Sequence, residues 1–347
     1  MYKCRVSMVV LVALAMMVSA LSGCGCFHKG LMRINGEKVM KEEFYDRVER
    51  VIVPGQGGNR MAGDAVMRKM IADKLVLQYA EKKGVAPTEQ QIERQLKVAR
   101  KIEGGDLKRK LELQGLTMVD FKRELEIATA QLNIMGKGIT VPESKVKEEY
   151  QKLKAANPSP YRRSQQVKIS IIMTSTKAKA DNAYQMLKSG KDFSTVAMQV
   201  SELPGAKQSG GEIPEWVARE DKRIPQPVRD AAYSLDIKEH SKPIEVIDGK
   251  SRVWAIVQVD RKRQAMVIPY VDVKDIIRDQ LRAQEGGRKN GKKVLSDLQR
   301  FIKDSDITIN HSRYESLPGQ IKKQAGEVLK NIQKMPEPGV GAPKPNP

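Results

Sequence analysis

Few residues in this 347-residue chain could carry covalent or metal chemistry, and their spacing narrows what they could do. The three histidines, His28, His240 and His311, are scattered, two of them near the edges of the chain. Acyl transfer by a Ser-His-Asp set needs those groups together, and no credible set is visible. The three cysteines, Cys4, Cys24 and Cys26, all precede His28. The body of the chain therefore carries no disulfide. Once Cys24 is modified, only Cys26 and His28 remain nearby, too few ligands for a metal. No Gly-x-x-x-x-Gly-Lys loop of the kind that cradles nucleotide phosphates is present. Neither a metal nor an organic cofactor is expected.

Cys24 is the one cysteine with a chemistry written around it. Lys3 and Arg5 precede an uncharged run of 14 residues, Met8 to Leu21. A spanning helix needs about 20 apolar residues, so this run is too short to cross a bilayer. A basic start, a short apolar middle and a small-residue exit describe an export signal over residues 1–23. The exit, Leu21-Ser22-Gly23-Cys24, resembles the bacterial lipobox, whose cysteine is acylated and becomes the first mature residue. The alternatives are an ordinary cleaved signal or an uncleaved anchor. Three acyl chains would make attachment stable rather than transient. The expected location is the cell envelope, lipid-anchored and facing the periplasm. Gly25 rather than Asp after the cysteine favours the outer membrane.

The net charge is +20, with 62 Lys and Arg against 42 Asp and Glu. Charge of that sign suits an acidic partner. Export argues against nucleic acid, as does an aromatic content of 5% that leaves few stacking platforms. The clusters "RKRQ" (261–264) and "RKNGKK" (288–293) read as solvated faces, or as surfaces for acidic lipid headgroups or acidic clients.

The elements that would position any site come next. Asn35-Gly36 between two short apolar-rich runs predicts a hairpin, because both residues accept the positive φ of a type I′ turn. Helices are predicted from Lys41, from Ala62 to Gly84, and from a Thr88 cap with Gln91 three residues on. Further helices are expected at 106–114, 117–135 and from Pro142 to about 156. "NPSPYRRS" (157–164) reads as a linker. From Gln165 to Lys262 the texture becomes α+β. A β-branched strand at 167–173 precedes a helix near 176–189, a Gly- and Pro-containing loop, a helix near 225–235 and the strand "RVWAIVQVD". Helix returns from Val271 to Lys303, with Gly286-Gly287 as a weak point, and "ITIN" (307–310) is a short strand. The end, "MPEPGVGAPKPNP", has the composition of a disordered tail.

Taken in order, these features resemble the exported parvulin-type foldases and chaperones, the SurA and PrsA family. "RINGEKVMKEEF" (33–44) resembles the hairpin and helix that open their chaperone domain. "YVDVKDIIRDQL" (270–281) and "VLSDLQRFIKDSDITIN" (294–310) resemble its closing helix and strand. "GKDFSTVAMQVSELPGAKQSGGEI" (190–213) is similar to the glycine-rich segment of the parvulin unit, and "PVRDAAYSLDIKEHSKPIEVIDG" (227–249) to the helix and turn that follow. The resemblance implies an α+β chain with a mostly helical chaperone domain built from N- and C-terminal segments. A parvulin-like α/β domain is inserted in it. The expected layout is a signal peptide at 1–23, chaperone segments at 24–158 and 264–313, the parvulin-like domain at 159–263, and a tail at 314–347.

The same resemblance exposes a break. Prolyl isomerisation faces a barrier of about 20 kcal/mol set by amide resonance. The family lowers it with two facing histidines, a nearby Cys or Asp, and Met and Phe around the prolyl ring. Position by position, the first histidine falls on Ile171, the Asp or Cys on Leu203 and the last histidine on Ala255. The ring-binding residues fall on Ile224 and Val228, with Trp254 beside Ala255 as a further peptide contact. His240 matches no catalytic position. The resemblance therefore implies an isomerase, while the residues imply weak or absent activity. What remains is binding of unfolded or nascent exported proteins. Met61, Met67, Met70, Met118 and Met135 read either as a promiscuous surface or as ordinary core filling. The competing expectations are an active isomerase with a rearranged site, or a scaffold in an envelope complex.

Overall fold

The structure is a computed structural model that describes residues 30–50, 58–156, 158–248 and 251–334. The hairpin strands β1 (Met32–Ile34) and β2 (Glu37–Val39) lead into helices α1 (Lys41–Glu49), α2 (Gly58–Lys82), α3 (Glu89–Glu103), α4 (Leu107–Leu113), α5 (Met118–Met135) and α6 (Glu143–Ala155). Then come β3 (Arg162–Arg163), β4 (Gln166–Thr174), α7 (Lys177–Lys188), α8 (Phe193–Val200), α9 (Ala206–Ser209), β5 (Val217–Ala218) and α10 (Gln226–Ser234). The chain closes with β6 (Ile244–Asp248), β7 (Ser251–Arg263), β8 (Met266–Val267), α11 (Tyr270–Asp304), β9 (Ile307–Ile309) and α12 (Leu317–Lys334). The fold is α+β, and none of the described helices is long and apolar enough to cross a membrane. Two compact units result. One contains the described residues up to Ile92, Lys108–Ile139 and those from Asp279 on; the other contains Glu93–Leu107 and Thr140–Arg278.

The first unit is helical around a three-stranded sheet of order β2-β1-β9. Asn35 and Gly36 take φ of 48° and 89°, the turn that their residue types predict. β1 pairs antiparallel with β9, with Met32 opposite Ile309 and Ile34 opposite Ile307. Chain segments some 270 residues apart are thus stitched together, and the Asn35 carboxamide completes the seam by accepting from the Asp306 amide at 2.9 Å. Leu31, Met32, Met67, Met70, Ile71, Leu75, Ile307 and Leu317 make the core behind this sheet. At least Met67 and Met70 are therefore core residues rather than surface, since 0% and 3% of each is exposed.

Gly286 has a job that local propensity hides. α11 runs unbroken through the Gly286-Gly287 pair expected to weaken it. A Cβ on Gly286 would lie 1.8 Å from the Met135 carbonyl oxygen and 3.4 Å from Gly136 Cα. The missing side chain lets α11 approach the end of α5 at backbone distance. The residues after β9 also depart from expectation. Leu317–Lys334 form α12 where a tail was expected, with Leu317, Ala325 and Ile332 buried. Residues 335–347, the Pro-rich end, lie outside the described residues. Within the expected linker, Arg162–Arg163 pair with Met266–Val267.

α5 opens with a capping box. The Thr117 hydroxyl accepts from the Asp120 amide, and the Asp120 carboxylate accepts from the Thr117 amide. Burial pushes the Asp120 carboxyl up, but the Thr117 hydroxyl and amide, with Arg50 and Arg123, outweigh it and hold it below the usual range.

Gly286→Ala should lower stability by about 1–3 kcal/mol through overpacking, despite a helix-propensity gain of up to about 1 kcal/mol. Gly291→Ala, whose Cβ would meet nothing closer than Met135 Cε at 3.9 Å, should raise it slightly. Urea unfolding of the two variants reads the difference. Asp120→Ala should cost about 1 kcal/mol at neutral pH. A depressed folded-state pKa gives stability present above the unfolded value and lost as pH falls through the folded one. The gap between Asp120→Ala and the parent should therefore close on acidification below about pH 4.

Candidate functional site

The second unit holds a four-stranded antiparallel sheet of order β5-β4-β7-β6. Side chains alternate across a strand, so each face draws every second residue. On one face Val167, Ile169 and Ile171 of β4 join Ala255, Val257 and Val259 of β7, with Val246 of β6 and Val217 of β5. α10 covers them through Val228 and Ala232, with Leu235 just beyond it. On the other face Ile172 and Ile256 pack against Ala183 and Leu187 of α7 and Phe193, Val196 and Ala197 of α8.

Five of the expected site residues meet on the first face. Ile171 lies opposite Val257, and Ala255 lies two residues along β7, opposite Met173. Ile224 and Val228 belong to the same cluster, and half-buried Leu203 packs against it. The group is nearly sealed: Ile171 is 3% exposed, Ala255 and Val228 0%, and Ile224 9%. Among the hydrophobic residues packed on this cluster, Tyr233 brings a phenol. That hydroxyl donates outward, to the carbonyls of Gln165 at 2.8 Å and Val217 at 3.1 Å.

Two local devices hold this arrangement. Gly210 and Gly211 take φ of 63° and 82°. They lay the loop along β4, so that the Ile171 amide donates to the Gly211 carbonyl at 2.8 Å and the Ile213 amide to Ile169 at 3.0 Å. A Cβ on Gly211 would stand 2.5 Å from the Ile171 oxygen. Next to Leu203, the Glu202 carboxylate accepts from the Ser175 amide at 2.6 Å and from Lys179 Nζ at 2.5 Å. The Lys179 ammonium and Ser175 hydroxyl hold that carboxyl below its usual range.

Trp254 and His240 are elsewhere. Trp254 is one residue out of phase with Ala255, so it faces the α7 side, where Lys177 Nζ stands 5.7 Å from its ring. The structure does not bring it to Ile171. His240 bridges to Gln258, again the α7 side, with its ring edge-on to Tyr184 at 5.7 Å. Its Nδ1 lies 3.3 Å from the Ser241 carbonyl. The only histidine of this unit is thus across the sheet from Ile171 and Ala255. Cys24 lies outside the described residues.

The first unit carries a feature the sequence reading missed. A cleft of about 280 Å³ is floored by Val66 and Leu116 and rimmed by Arg47, Arg50, Lys69, Asp120, Arg123 and Glu124. Its cations are already matched. Arg50 and Arg123 each reach Asp120 at 3.2 Å, Lys69 reaches Glu124 at 3.1 Å and Asp73 at 3.2 Å, and Arg47 reaches Glu43 at 2.7 Å. An apolar floor inside a neutral, paired rim suits an uncharged segment better than an anion.

Restoring the histidines should be costly. The double variant Ile171→His, Ala255→His places two imidazoles in a filled apolar cluster, at about 2–4 kcal/mol. Buried imidazoles stay neutral, so the loss should grow as pH falls below about 6.5. Urea midpoints at pH 8 and pH 5.5 measure both effects.

Residues 141–275 match the PPIC-type PPIASE domain. The chain is 25% identical over 254 residues to foldase protein PrsA 3 of Bacillus anthracis, covering 73% of this chain and 80% of that protein. It is 26% identical over 306 residues to foldase protein PrsA 1 of Bacillus cereus, covering 86% and 91%. Among solved structures, a SurA-like chaperone of Campylobacter jejuni aligns at 21% identity over 77% of this chain and 95% of that one, with a TM-score of 0.38. Residues 141–275 thus carry the match to the PPIC-type domain, and the chain is similar to PrsA foldases along most of its length.

Proposed function

We propose that the protein is an extracytoplasmic foldase or chaperone that binds unfolded exported proteins and has weak or no prolyl isomerase activity. One observation carries the second half of this reading. The positions where the family needs imidazoles and a carboxylate hold Ile171, Ala255 and Leu203, and the first two are sealed in the core. Isomerisation is accelerated by polar groups that favour the twisted amide over the planar one. An Ile, Leu and Ala site offers none, and its burial leaves no room for a prolyl ring.

In this reading residues 159–263 persist as a parvulin-like domain whose chemistry is lost. The segments 24–158 and 264–313 supply the chaperone domain. Its candidate client surface is the cleft over Val66 and Leu116, where an extended apolar segment could lie against the floor while polar backbone meets the rim. The mature chain is held to the envelope membrane through acylated Cys24, in the outer membrane if Gly25 sorts it there. Binding by surface complementarity needs no nucleotide.

A protease-coupled assay on a proline peptide should give turnover at least about a hundredfold below that of an intact parvulin. In parallel, a several-fold excess of the protein should slow aggregation of an unfolded outer-membrane protein. Near-parvulin turnover would overturn the first half of the test, and unchanged aggregation the second.

A further inference from the structure

We infer that the exposed lysine face of α12 rests on an anionic phospholipid leaflet and acts as a second, electrostatic membrane contact beside the acyl anchor. This rests on the lipid attachment at Cys24 proposed above. Met32, the first residue of β1, is eight residues from Cys24, a span of at most about 30 Å when fully extended. The entry point is pinned to the residue after β9: the Asn310 side chain donates to the Gly30 carbonyl at 2.8 Å, and the Asn310 amide to Leu31 at 2.8 Å. From Asn310 the chain passes through a single turn of 3₁₀ helix at Ser312–Tyr314 and begins α12 at Leu317. Leu31 and Leu317 share one core cluster. The start of α12 is therefore beside the root of the leash, and a membrane-held Cys24 keeps that end of the first unit within about 30 Å of the headgroups.

The chemistry of α12 fits such a neighbour. Its inward face is Leu317, Ala325 and Ile332, with Ile321 also packed on the core. Its outward face presents Lys323, Lys330 and Lys334, all exposed, with Glu327 as the only acid in the helix. Among the described residues none of these three lysines is held in an ion pair, unlike the cations around the cleft of the same unit. A row of unmatched ammonium groups on a helix whose apolar side is already spent on the core suits a charged surface rather than an apolar one. The field of an anionic leaflet reaches about one Debye length and attracts each nearby lysine about fivefold. Acyl insertion combined with basic residues is a physical recipe for firm attachment. α12, with four lysines against one acid, gives a part of the chain's positive excess a place and a direction. α12 sets which side of the first unit faces the lipid, and so which side stays open to the aqueous compartment.

The test uses full-length protein purified from its own membranes and returned to vesicles. Vesicles are either pure phosphatidylcholine or contain about 30 mol% phosphatidylglycerol. Flotation with the neutral vesicles tests the acyl anchor alone. Lysine acylation read by mass spectrometry then tests α12. Labelling of Lys323, Lys330 and Lys334 should fall at least about threefold on the anionic vesicles relative to the neutral ones, and recover in high salt. The same labelling on both vesicles, with flotation intact, would overturn the inference and leave the anchor standing. Protection that instead requires an acidic unfolded protein, in either vesicle, would assign the face to clients and overturn it equally. As a second arm, Lys323→Gln, Lys330→Gln, Lys334→Gln protein changes only exposed side chains. It should float on neutral vesicles like the parent. Its retention on anionic vesicles after de-acylation should drop on the order of a hundredfold. Unchanged retention would also sink the inference.

Discussion

The second unit depends on one constraint: the face of the central pair β4 and β7 that turns toward α10 must be apolar. Nine residues of β4 run against β7, and each face is covered, one by α10 and the other by α7 and α8, where Ser170 and Gln258 stand among the apolar residues. The α10 face needs volume and hydrophobicity at each inward position, and several apolar residues can supply them. Ile171, Ala255 and Val257 do so. In a parvulin with imidazoles at the first two positions, two polar groups must share this face with the core. Here the requirement for a packed face is satisfied without them. Fold and chemistry are separable for this reason: aliphatic residues meet the packing requirement, while a barrier of about 20 kcal/mol set by amide resonance does not yield to aliphatic groups.

The first unit answers a different constraint, closure of a long chain on itself. The three-residue strands β1 and β9 would not be stable alone, and their pairing holds only because Met32, Ile34 and Ile307 feed a common core with Met67, Ile71 and Leu75. The close approach at Gly286 serves the same end, since it brings α11 against α5. What these contacts leave uncovered is as informative as what they bury. The cleft over Val66 and Leu116 is neutral by pairing, and the outward face of α12 is basic without pairing.

Much of this was legible in the residues. Asn35-Gly36 announced the hairpin, and the β-branched run ending at Met173 marked β4. Ile171, Leu203, Ile224, Val228 and Ala255, far apart in the chain, all reach one cluster. Trp254 was misplaced by a single residue of strand phase, which reverses the face a side chain takes. Strict alternation about Ala255 would have flagged it. α12 was legible too, since Leu317, Ile321, Ala325, Val328 and Ile332 recur at helical spacing, but it was passed over for the Pro-rich composition of the residues that follow. Gly286 was misjudged for another reason. Propensity weighs a glycine by its own turn of helix, whereas this one is fixed by a carbonyl on another helix. The balance of charges around the cleft is invisible in sequence, since it joins Arg50 and Lys69 to Asp120 and Glu124 across separate helices.

The central claim is that the parvulin face is a closed apolar core, inert towards proline. Methyl-resolved NMR of protein labelled at Ile, Leu and Val reports on it directly. Titration with a proline-containing unfolded peptide should move methyl signals of the first unit, Val66 and Leu116 among them, and leave those of Ile171, Leu203, Val228 and Val257 unchanged. Saturable shifts at Ile171 and Leu203 that track the proline of the peptide would contradict the account.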